Sequence, residues 1–317
     1  MITIVLIGIA AGCASALMFA SIVSGALISL LLFNLAPLPL MVAALGWGPL
    51  SATIGGIAAA TGLGAIFGLP YCITFVLAIA LPAWWLGHLA LLGRPLAADT
   101  SRANDATSLE WYPVGRILLW VAVFATITTA ATLLTLGSDA PTITGTMRSA
   151  LASFMESAGV APTKRGIDAL VTIAPAAAAI VAMMTLTLNL WLAAKITATS
   201  GRLHRPWPDL KSVALPPMTL VLLFAAIALC FVGGLLAILA LVVATVLIMA
   251  YAFTGFAVLH TLTLALNNRA LWLSCAYTVV IVFTWPALVI AALGVADAIF
   301  GFRQRYLQGR PPPIPAS

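Results

Sequence analysis

Charged residues are scarce in this chain of 317 residues: only 7% are Asp, Glu, Lys or Arg, while 63% are hydrophobic. A soluble domain carries about 25% charged residues, so this composition excludes a soluble fold and indicates a polytopic membrane protein. The net charge of +6 comes from basic residues that stand singly or in pairs in loops. Such residues set membrane orientation, and we expect no nucleic-acid partner.

The motifs of common catalytic and metal sites are also missing. The sequence has no GxxxxGK[ST] loop for phosphate, no HExxH zinc motif and no pair of carboxylates within an apolar run. Its four cysteines form no CxxC and have no histidine nearby, which is typical of small buried side chains. We therefore predict no enzyme, no catalytic residue, no metal and no other cofactor.

The apolar stretch 35–68 is unusual because prolines and glycines interrupt it. From residue 48 a small residue recurs at every fourth position, on one side of a helix, where it lets two helices approach closely in lipid. These residues are Gly48, Ala52, Gly56, Ala60, Gly64 and Gly68. Leu63 lies off this ridge, and we expect it to tolerate replacement by alanine.

The piece just before this ridge, 39–46, is too short to span a hydrocarbon core of about 30 Å. It is predicted to be a re-entrant segment or a tilted additional span. A short, Pro/Gly-bounded piece of this kind is typical of a transporter cavity.

The long apolar runs predict an all-α bundle of about eight transmembrane helices. We expect residues 2–33 to be a retained first span and not a cleaved signal, because no basic residue precedes this long run. The spans are predicted at 2–33, 49–67, 71–92, 113–136, 168–194, 216–231, 235–266 and 270–300. They form a single domain, 1–302, followed by a disordered Pro/Arg-rich tail, 303–317.

The loop 138–167 contains an amphipathic helical pattern, with Met147, Leu151, Phe154 and Met155 on one face. The pattern predicts a helix on the membrane surface or one packed over the bundle. A small excess of Lys and Arg in the loops 94–116 and 195–213 favours the cytoplasmic side for both.

Strongly polar residues near membrane depth are functional candidates because their burial in lipid is unfavourable. His260, within the predicted span 235–266, is the best single candidate, although a hydrogen bond between packed helices explains it equally well. The candidates for a substrate site or cavity are Asn34, Trp47, Asn189 and His260. Asp297 is expected to pair with Arg303.

Two motifs carry a family resemblance. The sequence EWYPVGR at 110–116 opens a span, and GVAD at 294–297 followed by FRQR at 302–305 closes the last one. With these motifs the chain resembles the YybS-like family of bacterial membrane proteins, whose function is unknown. The resemblance implies a multi-pass protein of the bacterial inner membrane.

Residues 1–93 are more distantly similar to the S components of energy-coupling-factor vitamin transporters. In those proteins, small-residue pairs on the first helix contact a transmembrane coupling subunit. Ala10 with Ala14, and Ala16 with Ala20, match such pairs here. S components have about six helices and this chain is predicted to have more, so a coupled ATPase would be another chain.

Two hypotheses for function follow. The chain is either a substrate-capture or transport subunit for a small solute, working with partner subunits, or a non-transporting envelope scaffold or assembly factor. A polar cavity near 35–68 would favour the first, and a filled core would favour the second. The expected partners are the lipid bilayer and other membrane subunits.

Overall fold

The computed structural model describes residues 1–95, 109–159, 161, 163–209 and 213–308. These residues are almost entirely helical, which confirms the all-α polytopic class. The helices are α1 (Ile2–Ala20), α2 (Leu27–Leu35), α3 (Pro37–Trp47), α4 (Pro49–Phe67), α5 (Leu69–Phe75), α6 (Leu81–Ala90), α7 (Val114–Leu136), α8 (Ala140–Ser157), α9 (Lys164–Thr199), α10 (Met218–Leu229), α11 (Gly234–Leu262), α12 (Arg269–Phe283), α13 (Pro286–Phe300) and α14 (Phe302–Gln308). Two short strands, β1 (Gly93–Pro95) and β2 (Leu109–Trp111), pair antiparallel.

Within the described ranges, seven helical segments are long and apolar enough to cross a membrane. They are Ile2–Ser24, Leu27–Trp47, Pro49–Phe67, Leu69–Ala90, Val114–Leu136, Lys164–Thr199 and Gly234–Leu262. Helices α10, α12 and α13 are apolar but shorter. Most of the predicted loop 94–116 and the end of the predicted tail, 309–317, lie outside the described residues.

The first predicted span, 2–33, is wrong in its extent. Helix α1 passes into a short 3₁₀ turn and ends at Gly25, whose φ of 67° is left-handed. Such a conformation is open to glycine and terminates a helix. A second helix then begins, so the apolar run contains parts of two spans.

The predicted short segment 39–46 is not a re-entrant piece or a span of its own. It lies in α3, which continues α2 through the helical residue Ala36 to make the 21-residue span Leu27–Trp47. Pro37 occupies the first position of α3, where its missing N–H does not stop the chain from continuing. The prolines therefore break one membrane helix into two halves.

Glycines bring α1 into close contact with α4. A Cβ atom at Gly12 would lie well inside 3.0 Å of the Gly55 carbonyl, and one at Gly55 would meet Gly8 equally closely. The predicted ridge lies beside this seam on α4. There Gly56 faces Ala80 and Gly64 faces Cys72. A Cβ atom added at Gly56 would lie 3.2 Å from Ala80 Cβ, and one added at Gly64 would lie 3.2 Å from Cys72 Cβ.

The main core surrounds α3, whose Leu40 and Met41 have no exposed surface. Leu63 belongs to this core and is only 4% exposed, so its burial argues against the expectation that alanine is tolerated there. Truncating a buried leucine costs about 2–5 kcal/mol because the cavity is only partly refilled. The pattern of small residues did not predict the burial of Leu63, because neighbouring helices cover α4 on more than one side.

The last predicted span, 270–300, is two helices of 15 residues each. Thr284 separates them with a φ of 58°, and Pro286 opens α13. Helix α13 packs closely on α11, where a Cβ at Gly294 would overlap the Tyr251 carbonyl. The predicted disordered tail begins instead as the short helix α14.

Helix α8 lies within the predicted amphipathic loop and packs against the bundle through Ile143 and Met147, which are 0% and 9% exposed. Phe154 was predicted to share the covered face, yet it is 70% exposed. Packing over the bundle therefore accounts for the Ile143 side of α8. A position at the membrane surface stays a prediction.

Candidate functional site at a broken helix

The break between α2 and α3 changes the hydrogen bonding of the backbone. Pro37 has no N–H to offer the carbonyl of Phe33, and Pro39 has none to offer that of Leu35. The carbonyl of Phe33 accepts instead from Ala36 N at 3.2 Å. In a membrane, neighbouring helices must satisfy carbonyl groups that such a break frees.

Asn189 of α9 supplies a donor at this point. Its side chain is fully buried, and its Nδ2 donates to the Asn34 carbonyl and to the Thr185 carbonyl, each at 2.7 Å. The Thr185 hydroxyl in turn donates to Asn34 Oδ1 at 2.7 Å. Two candidate residues that stand 155 positions apart are thus brought together, and they join the broken helix to α9.

One atom of this network lacks a partner among the residues that the structure describes. Asn189 Oδ1 is buried and accepts no hydrogen bond from any of them. Most buried polar atoms in proteins have at least one hydrogen-bond partner. An acceptor without one, next to a helix break, therefore makes this region a candidate functional site. We name Asn34, Thr185 and Asn189 the amide site.

The other two candidates lie elsewhere. Trp47, at the end of α3, lies under the guanidinium of Arg202, 4.5 Å from the ring centroid. His260, near the end of α11, is hydrogen bonded through Nε2 to the Tyr277 hydroxyl at 2.8 Å. Arg269 Nη2 lies 3.4 Å from His260 Nδ1, so His260 links α11 to α12.

Sequence reasoning missed Thr185, Arg202 and Tyr277. A signal for Thr185 was present, because it precedes Asn189 by one helical turn and shares its face. Arg202 and Tyr277 meet their partners only through the tertiary fold.

The basic loop after α9 is held against the bundle. Lys195 Nζ lies 4.2 Å from the centre of the Trp207 ring. Arg205 Nη1 donates to the Ala90 carbonyl at 3.3 Å, and burial lowers the pKa of this guanidinium from its ordinary value. Lys195 is therefore held by an aromatic ring, and Arg205 by the carbonyl group at the end of α6.

Asp297 and Arg303 form the predicted pair, which is confirmed. Arg303 Nε lies 2.7 Å from Asp297 Oδ2, and both side chains are mostly buried, with exposures of 11% and 6%. Arg303 Nη1 also donates to the Val213 carbonyl at 2.8 Å. The pair ties the end of α13 to the segment that precedes α10.

Two recesses on the bundle are lined mostly by apolar atoms and are open to the outside. One of about 440 Å³ lies between α4 and α6, over Gly56, Ala60 and Ala80, with Trp84 at its edge. Ala80 ends a π-helical turn, Val76–Ala80, that lies just before Pro82. The other recess, of about 390 Å³, lies between α10, α11 and α13.

The stretch 35–68, where a polar cavity would favour transport, is closely packed at its centre. Ala36, Leu40, Met41 and Ala44 are fully buried among apolar neighbours. Among the residues that the structure describes, no three His, Cys, Asp or Glu side chains come together as metal ligands. The amide site offers hydrogen bonds and neutral oxygen ligands, but no nucleophile or acid–base pair.

The long apolar helices, their exposed apolar side chains and the polar network between them define a polytopic helical membrane protein. The family described as "Predicted membrane protein (DUF2232)" matches residues 13–298. The chain belongs to this family. No curated protein and no solved structure matches it.

Proposed function

We propose that this protein is a non-transporting scaffold or assembly subunit of the bacterial inner membrane, which holds other membrane subunits. The observation that carries the proposal is the filled core of the stretch 35–68. A capture subunit needs an internal space for its solute, whereas a scaffold needs surfaces that face other helices.

The outer face of α1 supports a contact with a partner. Gly8 and Gly12 pack inward on α4, whereas Ala10 is exposed and Ala14 is half-buried. Ala16 differs from both, because it packs against the main core. Only the pair Ala10 and Ala14 is therefore placed to receive a second helix without opening the bundle.

Affinity purification in mild detergent tests this proposal. We expect a membrane partner to co-purify with the wild-type chain and to be lost with Ala14→Trp, while the thermal unfolding midpoint stays nearly unchanged. Ala16→Trp should instead lower that midpoint, because overpacking a core costs about 1–3 kcal/mol. Ile281→Trp on α12, where the side chain is 77% exposed, is the matched control.

Equal destabilisation by Ala14→Trp and Ala16→Trp would show that both pairs are internal. That result, or the absence of any co-purifying membrane protein, contradicts the partner contact.

A second candidate function is solute capture or transport with partner subunits. The broken span Leu27–Trp47 with a buried amide site supports it, since discontinuous helices line substrate sites in transporters. The same purification distinguishes it, because transport of the S-component kind requires an ATPase and a coupling subunit among the captured proteins. In both roles we propose that the chain itself is not an enzyme.

A further inference from the structure

We propose that the amide site binds a monovalent cation of the size of Na⁺, between the broken helix and α9. The proposal does not depend on either function above, because such an ion can serve a scaffold or a transporter. It rests on the orphaned Asn189 Oδ1 and on the two carbonyl oxygens that lie beside the same amide group.

Oxygen atoms cluster where α2 meets α9. The carbonyls of Asn34 and Thr185 and the side-chain oxygens of Asn34 and Asn189 are four acceptors in one part-buried network. The side-chain donors that reach them are the Asn189 amide nitrogen and the Thr185 hydroxyl, and the Thr185 carbonyl also faces the backbone N–H of Asn189 one turn later in α9. Next to Asn34, the Leu35 carbonyl lacks its usual helical donor, because Pro39 has no N–H.

The asparagine amide can present either end to the two carbonyls. Asn189 Nδ2 now lies 2.7 Å from both the Asn34 and Thr185 carbonyl oxygens. Rotating the amide by half a turn would place Oδ1 at this position and bring three oxygens together. Three converging oxygens repel one another unless a cation lies between them, so the rotated state is suited to an ion.

The ligands select the class of ion. Hard cations bind oxygen ligands, and carbonyls freed at broken membrane helices coordinate Na⁺ in transporters. The network contains no carboxylate, and Ca²⁺ and Mg²⁺ sites usually include at least one. Neutral oxygens alone therefore favour a singly charged ion.

A buried water molecule is the alternative occupant, since it could donate a hydrogen bond to Asn189 Oδ1. The experiment compares thermal unfolding of the purified full chain in detergent, titrated with NaCl against choline chloride at constant ionic strength. We expect a saturable rise of the midpoint with Na⁺ alone, about 5 °C or more when Na⁺ is about 100-fold above its Kd.

Variants at the site sharpen the test. Asn189→Leu should abolish the difference between Na⁺ and choline, and Thr185→Val should weaken it. Asn189→Asp adds a negative ligand and should lower the Na⁺ concentration at half-effect by about tenfold or more. Thr187→Val is the matched control on α9, because its hydroxyl donates to the Met183 carbonyl of its own helix and to nothing in the amide site.

Binding of radioactive sodium to the folded wild-type chain gives a second readout, with about one ion per chain expected. An equal response to Na⁺ and choline in the wild type, with no sodium bound, would mean that water or the direct hydrogen bonds alone occupy the site. That outcome overturns the proposal, even if Asn189→Leu fails to fold.

Discussion

Helices α3 and α12 are both apolar, yet they have opposite surroundings. Seven of the eleven residues of α3 are buried, whereas none of the fifteen residues of α12, all of them described, is buried. Lipid is as apolar as a protein core, so hydrophobic composition cannot distinguish these two positions. The difference shows that hydrophobic composition alone does not decide which helices are buried.

The two parts of the molecule nevertheless use the same kind of joint. In the N-terminal part Gly12 and Gly55 bring α1 onto α4, and in the C-terminal part Gly255 and Gly294 bring α11 onto α13. The N-terminal joint lies beside the main core. The C-terminal joint holds α13 on α11. Helix α12, which comes just before α13 in the chain, has few neighbours and no buried residue.

The largest effect is expected at the N-terminal joint. Gly12→Leu would place side-chain atoms where the Gly55 carbonyl now lies, so α1 and α4 must separate. We expect almost no folded protein in detergent extracts, measured by size-exclusion chromatography with a fluorescent tag.

Gly56→Leu and Gly64→Leu should also reduce folded protein, but less, because the nearest atoms to their added Cβ are side-chain Cβ atoms at 3.2 Å and not a backbone carbonyl. Ile66→Ala, at a side chain that is 75% exposed, is the control. A normal yield of Gly12→Leu would contradict the close contact between α1 and α4.

A more local effect is expected at the C-terminal joint. Gly294→Leu would drive α13 away from Tyr251 and Thr254 of α11. The main core contains no residue of α13, so we expect the N-terminal part to remain folded while protease cleaves between α12 and α13 at least tenfold faster. Equal protection of this region in mutant and wild type would show that the joint does not hold α13.

The buried pair Asp297–Arg303 tests how α13 is held at its other end. Arg303→Met leaves the carboxylate of Asp297 buried without its cation, held among the described residues only by the backbone N–H of residue 303. Removing one partner of a buried ion pair costs about 3–5 kcal/mol of unfolding free energy. The double variant with Asp297→Asn should recover much of this loss. Denaturant unfolding in mixed micelles provides the measurement.

The pair Arg148–Asp168 is the exposed counterpart, with exposures of 51% and 43% and an N–O distance of 2.7 Å. Arg148→Met should change the unfolding free energy by at most about 1 kcal/mol, because water screens exposed ions. A loss as large as that of Arg303→Met would contradict this ranking.

The smallest effect concerns Asp139, which caps α8. The backbone N–H of Thr142 donates to its carboxylate at 2.8 Å and lowers its pKa. Because the folded-state pKa is depressed, the stabilisation is present above the unfolded value of about 3.9 and is lost as the pH falls through the folded value.

Asp139→Asn keeps a capping oxygen that does not titrate. Hydrogen exchange in α8 should therefore accelerate below about pH 4 in the wild type more than in this variant. Identical pH profiles would show that the carboxylate does not stabilise the helix through its charge.

Sequence reasoning predicted the membrane class and most of the later helices correctly. It also identified Asn34 and Asn189 separately as candidates, because polar residues are conspicuous in apolar runs. It failed in the first 47 residues. A long apolar run shows no boundary when the break depends on one glycine, Gly25, in a left-handed conformation.

The sequence by itself determined that this chain enters the membrane, since nothing else can accommodate so much apolar surface. It also marked some of the helix breaks, such as those at Pro37 and Pro286, because proline acts through local backbone geometry. Only the tertiary structure decided that Gly12, and not Ala14, faces α4, and that Asn34 meets Asn189. Lipid and neighbouring helices are nearly equivalent to an apolar side chain, so periodicity leaves the buried face undetermined until the helices pack.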